Sequence, residues 1–242
     1  GLGSTSNYSS PVQVGSLTNW LSAAGGYLHT VALKTNGTLW SCGDNTYGEL
    51  GLNTSGVYSS PKQIGGLTNW LKVACGKYFT TALKTDGTLW AWGQNTQGQL
   101  GLGSTSNYSS PVQVGSLTTW SKISCGSQYT TAVKTDGTLW SWGDNTYGQL
   151  GLGNTVALYK SPKQIGSLTT WLNVACGAYH TIALKKDGTL WTWGNNGYGQ
   201  LGLGNLFYYS SPKQVGNLTT WSAVAGGQYS TFALKTDGTL WG

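Results

Sequence analysis

The feature that most constrains this chain is a period of about 50 residues. Asp-Gly-Thr-Leu-Trp stands at 86–90, 136–140, 187–191 and 237–241, with Asn-Gly-Thr-Leu-Trp at 36–40. Pro11, Pro61, Pro111, Pro162 and Pro212 follow one another at spacings of 50, 50, 51 and 50. Trp20, Trp70, Trp120, Trp171 and Trp221 keep the same spacing. Residues 1–18 and 101–118 are identical, which points to recent duplication or design. A fixed period of this length marks small units that cannot bury an apolar face alone and must stack on one another. The units run approximately 1–50, 51–100, 101–151, 152–201 and 202–242, the last about nine residues short of a full period. They read as a single repeat domain.

Inside one unit the pattern is of short strands with turn punctuation. In the second unit, residues 60–64 (SPKQI) open on Pro61, which suits a strand start. Residues 70–76 (WLKVACG), 80–84 (TTALK) and 88–93 (TLWAWG) follow as three more strands. Asp86-Gly87 is expected to form a two-residue hairpin turn with positive φ at both positions. Gly-rich residues 94–102 connect to the next unit. Four short, evenly spaced strands per unit are the signature of propeller blades. The expected fold is all-β, a β-propeller of about five four-stranded blades. It is either a closed five-bladed ring or an arc of a larger propeller, and an open arc implies self-association or other partners at its free edges.

Composition agrees with this. The 242 residues include 38 Gly, 13 Trp and 14 Tyr but only 3 Phe. Gly without a collagen period signals turns, and the aromatics suit pleated surfaces. Only 8% of residues are charged, and the net charge of +6 comes from Lys alone, with no Arg. Without Arg, and without a run of like charge, nucleic acid is not an expected partner. The scattered lysines read as solubilising surface charge. No apolar run reaches the length of a membrane span. Without Met, the chain is expected to be a processed product or a piece of something longer.

Three strings carry a resemblance: WGQNTQGQLGLG (92–103), WGDNTYGQLGLG (142–153) and WGNNGYGQLGLG (193–204). With SSPVQV (109–114) and VACGAYHTIALKKDGTLWTWG (174–194), the chain resembles, over its whole length, the regulator-of-chromosome-condensation repeat family of β-propellers, in its bacterial and phage forms. The resemblance implies a propeller, most often of seven blades. It also implies possible settings: surface and phage proteins, a β-lactamase inhibitor, and a nucleotide-exchange factor that binds chromatin. Exchange would need a protruding insertion, and every unit here is 50 or 51 residues long.

The residues that suggest chemistry are absorbed by the repeat. Cys75, Cys125 and Cys176 share one position and read as small buried hydrophobes, as does Cys42 at a position where other units carry Trp. His29 and His180 share a position with Phe79, Tyr129 and Ser230, so packing is the expected role. Asp86, Asp136, Asp187 and Asp237 are turn residues. No catalytic, metal-ligating or cofactor-binding set is expected. What the repeat does not absorb is the loop between GLG and SP. Family members often carry a charged residue where this chain has Tyr8, Tyr58, Tyr108, Tyr159 and Tyr209. Val57, Leu158, Leu206, Phe207 and Tyr208 add apolar surface. These ten residues are the candidate partner-binding set, because loops on a rigid scaffold are where binding varies. The expected function is a non-enzymatic structural or protein-interaction scaffold, secreted or on a virion or cell surface; an enzyme inhibitor or regulatory propeller is the alternative.

Overall fold

The computed structural model describes residues 1–4 and 6–242. The chain is all-β, and its strands form propeller blades. Backbone contacts divide it into two compact units, Gly1–Thr96 with Ser106–Thr118, and Gln97–Thr105 with Thr119–Gly242.

The first unit holds two antiparallel sheets of four strands. One runs β1 (Trp20–Gly25), β2 (His29–Lys34), β3 (Leu39–Gly43), β4 (Tyr58–Gln63). The other runs β5 (Trp70–Cys75), β6 (Phe79–Lys84), β7 (Leu89–Gly93), β8 (Tyr108–Gln113). The second unit holds β9 (Trp120–Cys125) to β12 (Leu158–Gln164), with β10 (Tyr129–Lys134) and β11 (Leu139–Asp144) between them. It continues with β13 (Trp171–Cys176), β14 (His180–Lys185), β15 (Leu190–Gly194) and β16 (Tyr209–Gln214). Its last sheet has three strands: β17 (Trp221–Gly226), β18 (Thr231–Lys235) and β19 (Leu240–Trp241).

The sheets are out of phase with the written repeat. From the second period on, the Ser-Pro strand is the fourth strand of the sheet before it, pairing β3 with β4 and β7 with β8. In β4, β8 and β16 a Tyr begins that strand and stands opposite a strand-ending Gly, as in Gly93↔Tyr108 and Gly194↔Tyr209; in β12 the pair is Gly143↔Tyr159, one residue further in. Gly93 has φ 102° and a Cβ there would lie 2.6 Å from the Tyr78 carbonyl oxygen, so the position is closed to other residues.

The hairpin turn differs from the two-residue form expected. Gly87 N–H donates to the Lys84 carbonyl and Lys84 N–H to the Thr88 carbonyl, so the loop has three residues and only Gly87 has positive φ. Asp86 keeps an ordinary φ because its carboxylate is used. Its Oδ1 accepts from Thr88 N at 2.9 Å and Thr88 Oγ1 at 2.7 Å, and Thr88 Oγ1 accepts from Trp90 Nε1 at 2.9 Å. Those bonds hold the Asp86 carboxyl below its ordinary range. The same chain of bonds recurs at Asp136, Asp187 and Asp237, and Asn36 substitutes its amide oxygen.

A bulge between the first two strands of each sheet sets Trp70 opposite Lys84 and leaves Leu71 exposed. Lys84 Nζ then lies 3.7 Å from the Trp90 ring centroid and 5.0 Å from that of Trp70. Lys34, Lys134, Lys185 and Lys235 repeat this arrangement, so five of the 13 lysines are held on tryptophan rather than free in solvent.

The core lies between neighbouring sheets of a unit. Val31, Leu33 and Leu39 of the first sheet pack with Trp70, Val73, Ala82 and Trp92 of the second. In the second unit Val133 and Leu139 pack with Trp171, Val174, Ala183 and Trp193. A polar bond crosses each junction: Trp92 Nε1 donates to the Glu49 carbonyl, and Trp193 Nε1 to the Gln149 carbonyl, both at 2.9 Å.

Candidate partner-binding surface

The groups with chemical potential are consumed by packing. His29 and His180 are buried, each with Nε2 against a Thr hydroxyl of the next sheet, Thr80 at 3.1 Å and Thr231 at 3.0 Å. Gly26 and Gly177 leave room for these rings, since a Cβ there would lie 2.1 Å from the imidazole. Burial pulls both imidazoles down to about 4, so they are neutral at pH 7. All four cysteines are free thiols; burial pushes Cys75 up to about 12 and raises Cys176 as well. Among the described residues, no group of three His, Cys, Asp or Glu could hold a metal ion.

The ten loop residues separate into two sets. Tyr58, Tyr108, Tyr159 and Tyr209 are half-buried at the starts of their strands. Their rings sit opposite Gly, and three hydroxyls tie down their own loops, to Thr54, Asn154 and Asn205. Leu158 is half-buried beside them. Tyr8, Val57, Leu206, Phe207 and Tyr208 are exposed, Phe207 at 71%.

Of these, Tyr208 belongs to a larger aromatic surface that includes residues outside the loops. Its ring lies edge-on to Tyr147 at 5.8 Å, Tyr147 meets Tyr179 at 5.4 Å, Tyr179 meets Tyr229 at 6.4 Å, and Tyr229 meets Tyr198 at 5.1 Å. Five tyrosines thus form one continuous ring-to-ring series within the second unit. Tyr147 and Tyr198 come from the linkers after β11 and β15; Tyr179 and Tyr229 come from the turns before β14 and β18. Backbone bonds rigidify the linkers: Tyr147 N–H donates to Gln149 Oε1 at 2.8 Å, and Tyr198 N–H to Gln200 Oε1 at 2.9 Å. The recurrent Asn-Thr-Tyr-Gly and Gly-x-Tyr strings carried the signal, but they look like ordinary blade consensus. The first unit has a shorter series, Tyr27, Tyr78 and Tyr47, with Lys77 Nζ 5.1 Å from the Tyr78 ring.

Two clefts of another kind repeat along the blades. One, of about 390 Å³, is lined by Leu152, Ile165, Trp171, Lys185, Trp191 and Pro212; its counterpart in the first unit, about 320 Å³, includes Trp70 and Trp90. Their recurrence follows from the Trp–Lys–Trp arrangement of every sheet.

Antiparallel blade sheets repeated in register, with a rigid aromatic rim, define a repeat β-propeller that presents loops for contact. The RCC1-like domain model matches residues 1–242, and the chain belongs to that family. The chain is 47% identical over 49 residues to the human probable E3 ubiquitin-protein ligase HERC6, covering 19% of this chain and 5% of that protein. It is 48% identical over 46 residues to the Xenopus laevis protein RCC2 homolog, covering 18% of this chain and 9% of that protein. Human WBSCR16 superposes with a TM-score of 0.81 at 26% identity, over 90% of this chain and 58% of its own. Prp20p of Saccharomyces cerevisiae gives a TM-score of 0.81 at 21% identity, over 92% and 57%, a likeness of fold. The chain thus spans a small part of the curated relatives and a little over half of the solved chains.

Proposed function

We propose that the chain is a non-enzymatic protein-interaction scaffold whose second unit docks a protein segment on the Tyr147–Tyr179–Tyr198–Tyr208–Tyr229 surface. The observation that carries this is the continuity of the ring series, with Tyr198, Tyr208 and Tyr229 exposed, Tyr198 at 76%, and the half-buried Tyr147 and Tyr179 joining them. Tyr supplies large contact area with little rotamer entropy to lose and a hydroxyl for a polar partner. Leu206 and Phe207 extend the apolar area beside Tyr208. A cluster of exposed aromatics in rigid loops is the surface a partner seals from water.

Prp20p, with the same fold, is described as binding Gsp1p and histones, and yeast RCC1 has been crystallised with Kap60. Those partners belong to those proteins, but they support reading this fold as a scaffold for protein contacts. The low charge of 8% is the ground for a secreted or surface setting. Selection against a random peptide library tests the reading. The intact chain should enrich a consensus that the Tyr198→Ser, Phe207→Ser, Tyr208→Ser triple variant fails to enrich. Equal enrichment by both would sink it.

A further inference from the structure

Two departures from the repeat meet at one place in the first unit. The first is Asn53. The strings Gly101-Leu102-Gly103, Gly151-Leu152-Gly153 and Gly202-Leu203-Gly204 end on Gly with φ of 76°, 79° and 71°, whereas Gly51-Leu52-Asn53 ends on Asn at φ 54°. Among the described residues Asn53 is the one non-Gly residue with positive φ. Its backbone does what Gly153 does: Asn53 N–H donates to the Ser109 carbonyl as Gly153 N–H donates to Ser210. Gly would serve that bond with less strain. The side chain is the difference, and its Oδ1 accepts from Ser109 Oγ at 3.3 Å. A polar side chain held in a conformation that favours Gly points to a use for that side chain.

The second departure is Asn107. Tyr208 holds the equivalent position, just before the Ser-Pro strand, and its ring covers Tyr147 at 5.8 Å. Asn107 is shorter, and its Oδ1 accepts from Asn95 N–H at 2.8 Å. Where the second unit has a covering ring, the first has a cavity of about 460 Å³ lined by Asn45, Tyr47, Asn53, Ser55, Asn107 and Ser109. None of its lining residues is charged.

The walls of this cavity divide into fixed and available groups. Asn45 is fixed: its Oδ1 accepts from Leu50 N–H at 3.0 Å and its Nδ2 donates to the Thr54 carbonyl at 2.6 Å. Asn53 and Asn107 have each committed the amide oxygen and offer the amide NH2 as donors. Ser109 Oγ has donated to Asn53 and can accept. Tyr47 is half-buried, its ring held 5.2 Å from that of Tyr78. The volume lies in the range of small-ligand sites. Uncharged walls give an ionic ligand no counter-charge, while amide donors and hydroxyl acceptors beside an aromatic ring suit a ligand rich in hydroxyls with a C–H face.

We propose that this cavity binds a neutral saccharide, the Asn53 and Asn107 amides donating to its hydroxyls and its C–H face lying on Tyr47. The site is confined to the first unit and does not depend on the tyrosine series of the second.

An array of neutral, sialylated and sulfated glycans probed with the 242-residue chain tests this, followed by saturation-transfer NMR titration of the best-retained neutral glycan. Two variants accompany it. Asn53→Gly restores the residue of three equivalent strings and relieves the backbone, so the fold is kept. Asn107→Tyr borrows Tyr208 and fills the cavity. The unaltered chain should retain neutral glycans, and each variant should bind the titrated glycan at least about tenfold more weakly, with an unchanged thermal melt for Asn53→Gly or a raised one. Retention of no neutral glycan, or of sialylated and sulfated glycans alone, overturns the proposal. So does undiminished binding by the Asn53→Gly variant.

Discussion

Trp142 donates its indole N–H to the Gln99 carbonyl at 2.9 Å, and that carbonyl also accepts from Thr130 Oγ1 at 2.8 Å. One linker oxygen is therefore shared by two side chains of the following sheet. The Trp142 ring is fully buried, edge-on to Trp120 at 5.9 Å. Trp142→Ala should cost about 3–5 kcal/mol of unfolding free energy, the range for emptying a buried aromatic site. Trp142→Phe keeps most of the volume and loses one of two donors, so about 1–2 kcal/mol is expected. Urea titrations read both; equal costs for the two would show that the indole N–H contributes nothing.

Glu49 tests a departure from the repeat. Gln149 and Gln200 hold this position elsewhere, and Gln149 Nε2 donates to Asp144 Oδ2 at 2.8 Å. Glu49 cannot donate when ionised. Burial and the neighbouring Asp44 carboxylate push its carboxyl above the ordinary range, although bonds from the Glu49 and Tyr47 backbone pull it down. A group raised in the fold stabilises below its unfolded value near 4.5 and loses that contribution as pH climbs through its folded value. Glu49→Gln should therefore raise stability at pH 7, by about 1–2 kcal/mol, by replacing a carboxyl–carboxyl contact with an amide–carboxylate bond. A differential scanning melt that shows no increase would contradict this.

The histidines act in the opposite sense. Both are lowered from 6.5 to about 4, chiefly by burial. Their stabilising contribution is complete above 6.5, where both states are neutral, and is lost as pH falls towards 4, because the unfolded chain takes up the protons first. The loss is about 3 kcal/mol for each imidazole. His180→Phe borrows the residue that Phe79 shows to be accepted at this position, and should remove about half of the loss in that window, leaving the part due to His29. Urea midpoints measured across it give the test. Below about 3.8 the turn aspartates, held low by their Thr partners, add a second acid loss.

Most of the secondary structure could be read from the residues. The strands expected at 60–64, 70–76, 80–84 and 88–93 fall on β4, β5, β6 and β7 with shifts of a residue or two. That follows because Pro61, Gly76 and Gly87 mark boundaries by backbone sterics alone. Which sheet owns the Ser-Pro strand was not legible, since periodicity has no phase: Gln63 looks the same whether it pairs forward or back. The turn at Asp86-Gly87 departs from the two-residue form that the dipeptide suggests because the Thr88 and Trp90 side chains decide its form. Lys84 read as a solvated charge because the bulge that sets it opposite Trp70 has no sequence mark. The aromatic rim was half visible. Tyr208 was found as a departure between loops, whereas Tyr147 and Tyr179 were hidden by conforming to the repeat.

Whether the tyrosine series of the second unit binds a protein segment is tested most directly by calorimetry. A peptide selected on the intact chain is titrated into that chain and into the Tyr198→Ser, Phe207→Ser, Tyr208→Ser variant. Removing exposed aromatic anchors of this kind costs about 2 kcal/mol or more in total, so the variant should bind at least tenfold more weakly while unfolding at the same urea concentration. Equal affinities, with the variant folded, would contradict the account.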